Sequence, residues 1–338
     1  METNAQSSID TFGLPIVEID STRNYWLVRT NAGEYFDEFY IKNFIAIGWN
    51  KCRDFNKFIE EKKNDNIAQE IEGFYPKEQS GRIYGQIHRF LFEMQVGDIV
   101  MIPSENSSFI RFGVIVSDPY IREVSATEID EGSCPYIKSR NVEWIKIVEK
   151  SKLDPYLFRM MQSHQTINNA NDYAHYIDRT LHNFFMKDGK AYLVLRVEKQ
   201  GDIPAFDLVN FVNSVIDLVP VVNELPGIKE KYEKDDLDLK LNVQSPGFTE
   251  FFSNAPQLIV GIGLLIVILA GSKVKVKTKK ADNSSTEINI KGLLGDNLLK
   301  KADELEKLKN IQQENFTKIK AELPEELKSL LEKENRED

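Results

Sequence analysis

The sequence predicts an α+β fold in which a small β-rich part with flanking helices precedes a C-terminal part of different composition. Short runs at residues 25–29 and 44–47 are rich in aromatic and β-branched residues, which favour strands. Charged segments with apolar residues at helical spacing alternate with these runs and indicate amphipathic helices. After residue 250, an uncharged apolar segment and a charged tail replace this alternation, which indicates a separate C-terminal part.

The elements of the N-terminal part are predicted in close succession. Residues 1–21 form a polar arm, and residues 22–200 form the first domain. The dipeptide Gly48-Trp49 ends the strand 44–47 in a tight turn, which leaves the indole at the mouth of a pocket. Helical spacing is present at residues 51–73, 82–94, 151–185 and 203–222. Further strands are predicted at residues 99–102, 109–116, 141–148 and 191–197.

An ordered series of short motifs covers more than half of the chain. The motifs are WLVR at 26–29, AIGW at 46–49, GQIHRF at 85–90, MQVGDIVMIP at 94–103 and VEW at 142–144. The series resembles the PUA/EVE/YTH-like domain at the N-terminus of Mrr-type restriction and other bacterial anti-phage defence proteins. The resemblance implies a small β-barrel with flanking helices, closed in part by the strand 191–197. It also implies a pocket that receives a flipped, often modified, base or a free nucleotide.

A pocket of this type needs a flat apolar wall for stacking and donors for the edge of the base. Trp49, Tyr84 and Phe90 are candidates for the wall, and Arg29 or Arg111 for holding a phosphate. On one helix, spacing of three places Gln86 and Arg89 on the same face, which Arg82 shares. The candidate ligand-binding residues are Trp26, Arg29, Trp49, Ser80, Tyr84, Gln86, Arg89, Phe90, Ser104 and Arg111. For each one the alternative is an ordinary core or surface role.

Composition restricts the classes of function. The formal net charge of −10 argues against a broad surface that coats DNA without specificity, although a local basic patch is compatible with it. The two cysteines provide neither a disulfide framework nor a thiol-rich metal site, which fits a reducing cytoplasm. The histidines form no HExxH motif, and no phosphate-binding GxxxxGK[ST] loop is present. We therefore predict no metal and no cofactor.

An enzymatic alternative remains open, because relatives of the resembled domain carry nucleases. A nuclease of that kind needs an acid followed by acid-x-Lys on the next strand to hold Mg²⁺. Asp238-Leu239-Lys240 is the nearest approach to this pattern. Residues 206–252 are too few for a complete nuclease fold. The sequence favours a non-enzymatic protein, with a modification-dependent restriction nuclease-like DNA-binding protein as the alternative.

The C-terminal part has four predicted segments. Residues 201–250 connect helix to strand, and residues 251–272 are uncharged. This apolar segment as a whole has the length of a transmembrane helix, whereas its dense centre at 258–270 has the length of a buried helix. Alternating residues at 273–292 predict a β-hairpin, and residues 293–338 predict charged amphipathic helices that pair with a second copy or face solvent.

Together these features predict a non-enzymatic sensor of the defence type. Its pocket binds a modified base or a nucleotide, and binding is coupled to a C-terminal segment that inserts into a membrane or self-associates. For this to be a switch, the ligand must bind one state more tightly than the other. The sensor domain is expected in the cytoplasm, with inner-membrane association through residues 251–272. A soluble homo-oligomer with this segment at its interface is the structural alternative.

Overall fold

The computed structural model of the chain is mixed α+β, as the sequence predicts. It describes residues 13–59, 65–242, 247–270, 276–279, 285–288, 294, 298 and 300–331. The contacts divide the chain into an N-terminal unit, Thr22–Leu181, and a C-terminal unit, Met1–Ser21 with His182–Asp338. Most of the predicted arm, the turn of the predicted hairpin and the end of the charged tail lie outside the described residues.

The strands are short, with one exception of 12 residues that pairs with several others. In chain order they are β1 (Val17–Glu18), β2 (Tyr25–Val28), β3 (Phe44–Ile47), β4 (Ile99–Pro103), β5 (Phe109–Ile115), β6 (Tyr120–Ile121), β7 (Lys138–Glu149), β8 (Ile167–Asn169), β9 (Phe184–Lys187), β10 (Lys190–Val197), β11 (Asp238–Asn242), β12 (Gly247–Ser253), β13 (Val276–Lys279), β14 (Ser285–Ile288) and β15 (Ala321–Glu322).

The helices range from a single turn to 18 residues. They are α1 (Phe36–Ile41), α2 (Asp65–Phe74), α3 (Ser80–His88), α4 (Ala126–Asp130), α5 (Leu157–Met161), α6 (Ala174–Leu181), α7 (Ala205–Ile216), α8 (Val219–Val222), α9 (Pro256–Leu269), α10 (Ala302–Ile319) and α11 (Glu325–Leu331). The predicted helix at 151–185 is wrong over much of its length, because α5 and α6 are separated by the strand β8. Pairing of β8 with β2 outweighs the local helical spacing there.

The sheet of the N-terminal unit curls into half a barrel. Its strand order is β3-β7-β5-β4-β2-β8, with β6 also paired to β7. The first residues of β7 pair with β3, and the remainder pairs with β5, where the register shifts between Phe112 and Gly113. Such an irregularity bends and twists a sheet. The buried indole of Trp26 donates to Asp98 Oδ2 at 2.8 Å, which links β2 to the turn before β4.

A buried arginine fixes the end of α3 against this sheet. A π-helical turn, Arg89–Glu93, continues α3, and Met94 N–H donates to the carbonyl oxygen of Arg89 at 3.0 Å. The carbonyl groups that follow lie in the last turn, where no further helical N–H is available to them. The guanidinium of Arg140, on β7, donates to the carbonyl oxygens of Phe90 (2.8 Å), Leu91 (3.1 Å) and Met94 (2.8 Å). Burial lowers the pKa of Arg140 to about 10, so the group still carries its charge at neutral pH. Arg140 thus replaces the missing helical hydrogen bonds.

The C-terminal unit has its own sheet and its own core. The strand order is β1-β9-β10-β12-β11, and β15 pairs with the end of β10. The expectation that residues 191–197 help to close the N-terminal barrel is therefore wrong. The strand forms, but it pairs with β9 and β12 and belongs to the C-terminal sheet. A strand pattern is local, whereas its pairing partner is chosen by tertiary contacts.

The predicted apolar segment 251–272 is divided between a strand and a helix. Phe251 and its neighbours complete β12, and α9 follows with 14 residues. Its residues from Leu258 to Val267 are all buried within the core of the C-terminal unit. Two glycines let neighbouring elements approach closely, since a Cβ on Gly261 would lie 2.6 Å from Val222 Cγ1 and one on Gly263 would lie 3.2 Å from Phe184 Cζ.

One longer helical stretch has the features of a membrane span by length and composition only. Residues Ala205–Val222, which contain α7 and α8, are long and apolar enough, and a third of the stretch is buried. A core helix of a soluble protein passes the same test. α9 is shorter than a typical span.

Candidate functional site

A cavity of about 570 Å³ opens on the N-terminal unit, beside the turn that follows β3. Volumes of roughly 300–1,000 Å³ are usual for sites that bind small organic ligands. The lining residues come from five separate parts of the chain and include three aromatic rings. They are Arg29, Asn31, Ala32, Gly48, Trp49, Tyr75, Glu78, Tyr136, His164 and Thr166. We call this cavity the Trp49 pocket.

Trp49 has a backbone conformation that bulky residues rarely adopt. Its φ of 55° lies in the left-handed region, where a side chain with a Cβ is strained. The half-buried indole donates from Nε1 to Glu78 Oε2 at 3.2 Å. Strain of this kind persists where the surroundings enforce it, and it is concentrated at functional sites. The turn therefore presents the indole to the pocket, as the sequence predicts.

Gly48 leaves room for the second aromatic ring. A Cβ at Gly48 would lie 3.3 Å from Cε1 of Tyr136, a tight contact that the glycine avoids. Tyr136 also meets Tyr35 edge to face, with ring centroids 5.3 Å apart. Burial raises the pKa of Tyr136 to about 12, so its hydroxyl is neutral at physiological pH. Tyr136 thus offers the pocket an uncharged ring and a hydroxyl group.

Arg29 is the predicted phosphate-binding candidate that lines the pocket. Its guanidinium donates from Nε to the carbonyl oxygen of Ser163 at 3.2 Å, and from Nη2 to the carbonyl oxygens of Met161 and Ser163. Carbonyl groups orient the cation without neutralising its charge. Burial lowers the pKa of Arg29 from its ordinary value of 12.5. An arginine held this way is a fixed positive charge at one side of the cavity.

Polar residues of α3 and of the π-helical turn after it converge on the loop that carries His164 and Thr166, two residues of the pocket lining. Gln86 Nε2 and Arg89 Nη1 donate to Gln165 Oε1 at 3.3 and 3.2 Å, and Arg82 Nη2 donates to the carbonyl oxygen of His164 at 3.3 Å. The spacing of these three residues predicts this convergence. They support His164 and the neighbouring Thr166 rather than lining the cavity themselves.

Three predicted aromatic candidates lie in the core instead. Trp26, Tyr84 and Phe90 have exposed fractions of 2% or less. Tyr84 stacks on Phe58 with ring centroids 5.3 Å apart, and the guanidinium of Arg140 lies over the ring of Phe90. These positions correspond to the core alternative that the sequence left open.

The remaining candidates, buried Ser80 and half-buried Ser104 and Arg111, do not line the Trp49 pocket. Ser80 donates to Glu72 Oε1 at 2.8 Å and lines a second depression of about 760 Å³, which shares Glu78 with the Trp49 pocket. Ser104 Oγ accepts from the backbone N–H of Phe109 at 2.9 Å and caps a turn. Arg111 lies over the ring of Tyr40, with its Cζ 3.5 Å from the ring centroid. Each has a structural partner of its own.

Apart from Asn31, Ala32, Gly48 and Thr166, the lining residues that the sequence analysis did not propose as ligand-binding are Tyr75, Glu78, Tyr136 and His164. They lie in loops, so no helical or strand period marks them. The one available signal was indirect, because Tyr75 and Tyr136 each stand next to a proline in a turn-rich segment. Tyr75 is tied to the Trp49 turn, since its hydroxyl accepts from the backbone N–H of Lys51 at 3.1 Å.

The Trp49 pocket combines groups that can stack on, hydrogen-bond to and attract a bound molecule. Three aromatic rings provide flat apolar surface, Glu78 provides an acceptor, and Arg29 provides a positive charge. Among the described residues, no group of three or more His, Cys, Asp or Glu side chains is arranged to hold a metal ion.

Comparison with known proteins adds one match. A family model described as a domain of unknown function (DUF8426) matches residues 24–171, so the N-terminal unit is similar to that family over nearly its whole length. No curated protein matches the chain.

Proposed function

We propose that the N-terminal unit is a PUA/EVE-like sensor module that binds a nucleobase in the Trp49 pocket. The observation that supports this most directly is the combination of Trp49, Tyr75 and Tyr136 with a carboxylate and a guanidinium around one cavity. Proteins that recognise an unpaired base stack it on aromatic rings and bind its edge through hydrogen bonds. In the defence setting that the motif series suggests, the base is a modified one, either free as a nucleotide or turned out of a strand.

Each lining group then has a role. The base stacks on the indole of Trp49, and the Tyr136 ring adds a second aromatic surface to the lining. Glu78, fixed by the Trp49 indole N–H, accepts from an N–H group on the edge of the base. Arg29 and His164 lie where they can meet a phosphate group attached to the same nucleotide. The single arginine of the lining suits recognition of one phosphate group better than coverage of a long duplex, which needs many cations.

A titration tests this proposal with the full chain. The probes are the four nucleoside 5′-monophosphates and short oligonucleotides that carry one 5-methylcytosine, 5-hydroxymethylcytosine or N6-methyladenine. Isothermal titration calorimetry measures the affinity of the chain for each probe. Because base–aromatic stacking contributes about 1–3 kcal/mol, Trp49→Ala should weaken binding by roughly 5- to 150-fold. Tyr156→Ala is the matched control, since Tyr156 is 55% exposed and does not line the pocket. Absence of saturable binding by any probe would remove the proposal.

Glu78 makes the proposal more specific. A carboxylate accepts but does not donate, so it favours an edge with N–H groups, such as N1–H and the amino group of guanine or the amino group of cytosine. Glu78→Gln should reduce the preference for such a base by about 10-fold, because the amide presents a donor as well. Equal effects on all bases would instead indicate that Glu78 acts only through the Trp49 indole.

For the C-terminal unit we propose that it associates with a membrane. This proposal is supported by exposed apolar side chains on one helix. Phe206 is 73% exposed and Val209 is 54% exposed on α7, within the stretch of the described residues that is apolar and long enough for a span. Exposed aromatic and aliphatic side chains on a helix insert into the interfacial region of a bilayer. The full chain should then require detergent for extraction from membranes, whereas Phe206→Asp should shift it to the soluble fraction. Recovery of the unaltered chain without detergent, as a defined oligomer, would favour self-association instead.

A further inference from the structure

We propose that Lys138 is the positioning residue that holds Trp49 in its left-handed conformation and so sets the aromatic wall of the Trp49 pocket. Its effect on Trp49 can be measured without any ligand. Its effect on affinity rests on the proposed base-binding function.

The contacts of the Lys138 ammonium are all directed at this turn. Lys138 is the first residue of β7 and lies opposite Ile47 of β3 in the sheet. Its Nζ donates to the carbonyl oxygen of Gly48 at 3.1 Å and to that of Trp49 at 2.8 Å. Two consecutive carbonyl groups point to one cation only when the chain between them turns sharply. The ammonium therefore stabilises the turn that gives Trp49 its φ of 55°.

Burial of the Lys138 ammonium is energetically unfavourable. The residue is 0% exposed, and none of the described carboxylates lies within ion-pair distance of its Nζ. A buried ammonium without a carboxylate loses hydration that backbone carbonyls only partly replace. Burial lowers the pKa of Lys138 to about 8. An apolar residue would serve the core better at this position, which points to a role in the turn rather than in packing.

The groups around Lys138 leave its role in the turn intact. The Cys52 thiol raises the pKa of Lys138 when ionised, and Arg53 lowers it. The backbone N–H of Cys52 donates to the Trp49 carbonyl oxygen at 3.0 Å, so this oxygen accepts from two donors. The residue after Trp49 is also held in place, because Asn50 Nδ2 donates to the carbonyl oxygen of Pro135 at 2.8 Å. Within this set Lys138 supplies the only cation that bonds the Gly48 and Trp49 carbonyl oxygens among the described residues.

Fluorine NMR of the full chain tests the proposal directly. The sequence has three tryptophans, so labelling with 5-fluorotryptophan gives three resonances, and Trp49→Phe assigns one of them. Lys138→Met keeps the length of the side chain and removes the cation. We expect this change to shift or broaden the Trp49 resonance and leave those of Trp26 and Trp144 in place. An unchanged Trp49 resonance in Lys138→Met would overturn the proposal.

Two further measurements separate positioning from general stability. Lys146→Met is the matched control, because Lys146 is also on β7 and donates from Nζ to a backbone carbonyl, that of Thr180, at 2.8 Å. It should leave the Trp49 resonance unchanged. In the unaltered chain, the Trp49 resonance should titrate as Lys138 loses its proton, with a midpoint near pH 8. This titration decides the question even if Lys138→Met fails to fold, because a Trp49 resonance that stays unchanged as the pH rises through the lowered pKa of Lys138 and up to the ordinary lysine value of 10.5 would contradict the proposal.

Ligand binding distinguishes this inference from the proposed function. If the unaltered chain binds a base, Lys138→Met should weaken that binding by about 10-fold while Lys138→Arg restores part of it. If the unaltered chain binds no base but its Trp49 resonance responds to Lys138, the proposed function fails and the positioning role stands. If a base binds with equal affinity to Lys138→Met and its Trp49 resonance is unchanged, the positioning role fails and the proposed function stands.

Discussion

Replacement of Gly261 by alanine tests whether α9 is a packed core helix or an exposed apolar segment. Gly261 lies in the middle of α9, where a Cβ would meet Val222 Cγ1 at 2.6 Å, Val222 Cγ2 at 3.1 Å and Leu225 Cδ1 at 3.4 Å. Carbon atoms in ordinary contact are about 3.5–4.0 Å apart. Rotation of the Val222 side chain gives little relief, since both of its methyl groups face the new atom. α9 and α8 must therefore separate by roughly 1 Å.

The expected cost follows from two opposing effects. Overpacking of a well-packed core costs about 1–3 kcal/mol, and the overlap at Gly261 is severe. Alanine in a helix interior recovers about 0.8–1 kcal/mol relative to glycine. Gly261→Ala should therefore lower the free energy of unfolding of the C-terminal unit by about 1–2 kcal/mol. Gly263→Ala should have a smaller effect, because its Cβ would approach the Phe184 ring only to 3.2 Å.

Amide hydrogen exchange followed by mass spectrometry reports on this unit directly. Peptides that cover α9 and β10 should exchange roughly 5- to 30-fold faster in Gly261→Ala, provided that exchange proceeds through opening of the core. Val222→Ala alone should also destabilise the unit, by about 2 kcal/mol. The double variant should lose less than the sum of the two single changes, by about 1–2 kcal/mol, because the new methyl group then fills the space that Val222 leaves.

The opposite outcome would refute this reasoning. If Gly261→Ala stabilised the helix by about 1 kcal/mol and its effect added to that of Val222→Ala, the two residues would not be in contact. The apolar segment would then lie outside the core of the C-terminal unit. Membrane insertion of residues 251–272, which the sequence suggests, would become the better interpretation.

Three further predictions concern the N-terminal unit. Arg140→Met should lower the free energy of unfolding of the N-terminal unit by roughly 3–5 kcal/mol, since each buried carbonyl left without a donor costs about 1–3 kcal/mol. Urea titrations followed by tryptophan fluorescence measure this loss. A loss under about 1 kcal/mol would show that water replaces the guanidinium. Gly113→Ala should lower the free energy of unfolding by about 1–3 kcal/mol, because the new Cβ would lie 2.4 Å from a methyl carbon of Val142. Gly85→Ala, where no atom lies within 4 Å of the new Cβ, is the control and should be neutral or stabilising. Equal effects of the two changes on unfolding would argue against the tight contact at Gly113. Burial raises the pKa of the Cys134 thiol from 9.0 to about 12, so the stability that it contributes is complete below pH 9 and is lost as the pH rises towards 12. Cys134→Ala should therefore flatten the loss of stability above pH 9 relative to the unaltered chain, and an identical profile would place the titration elsewhere.

The turn at Gly48 and Trp49 is an example of a feature that the local sequence predicts. An apolar strand, a glycine and an aromatic residue in succession predict both the turn and an indole beside a pocket, and the structure has a half-buried indole that lines a cavity at this turn. The strands Tyr25–Val28 and Phe44–Ile47 lie where their aromatic and β-branched residues place them. The spacing of Gln86 and Arg89 also predicts that they act on one spot. Each of these features depends on residues within about one turn or one strand of each other.

Other features were decided only by tertiary structure. The sequence marks residues 191–197 as a strand, but pairing places that strand in the C-terminal sheet. It marks 251–272 as apolar, yet contact with Val222 and Phe184 is what distinguishes a core helix from a membrane segment. Tyr75 and Glu78 share one loop and stand far from Tyr136 in the chain, yet all three line the same cavity as Trp49. Residue type and period are local properties, whereas pairing, burial and convergence are set by contacts across long sequence separations.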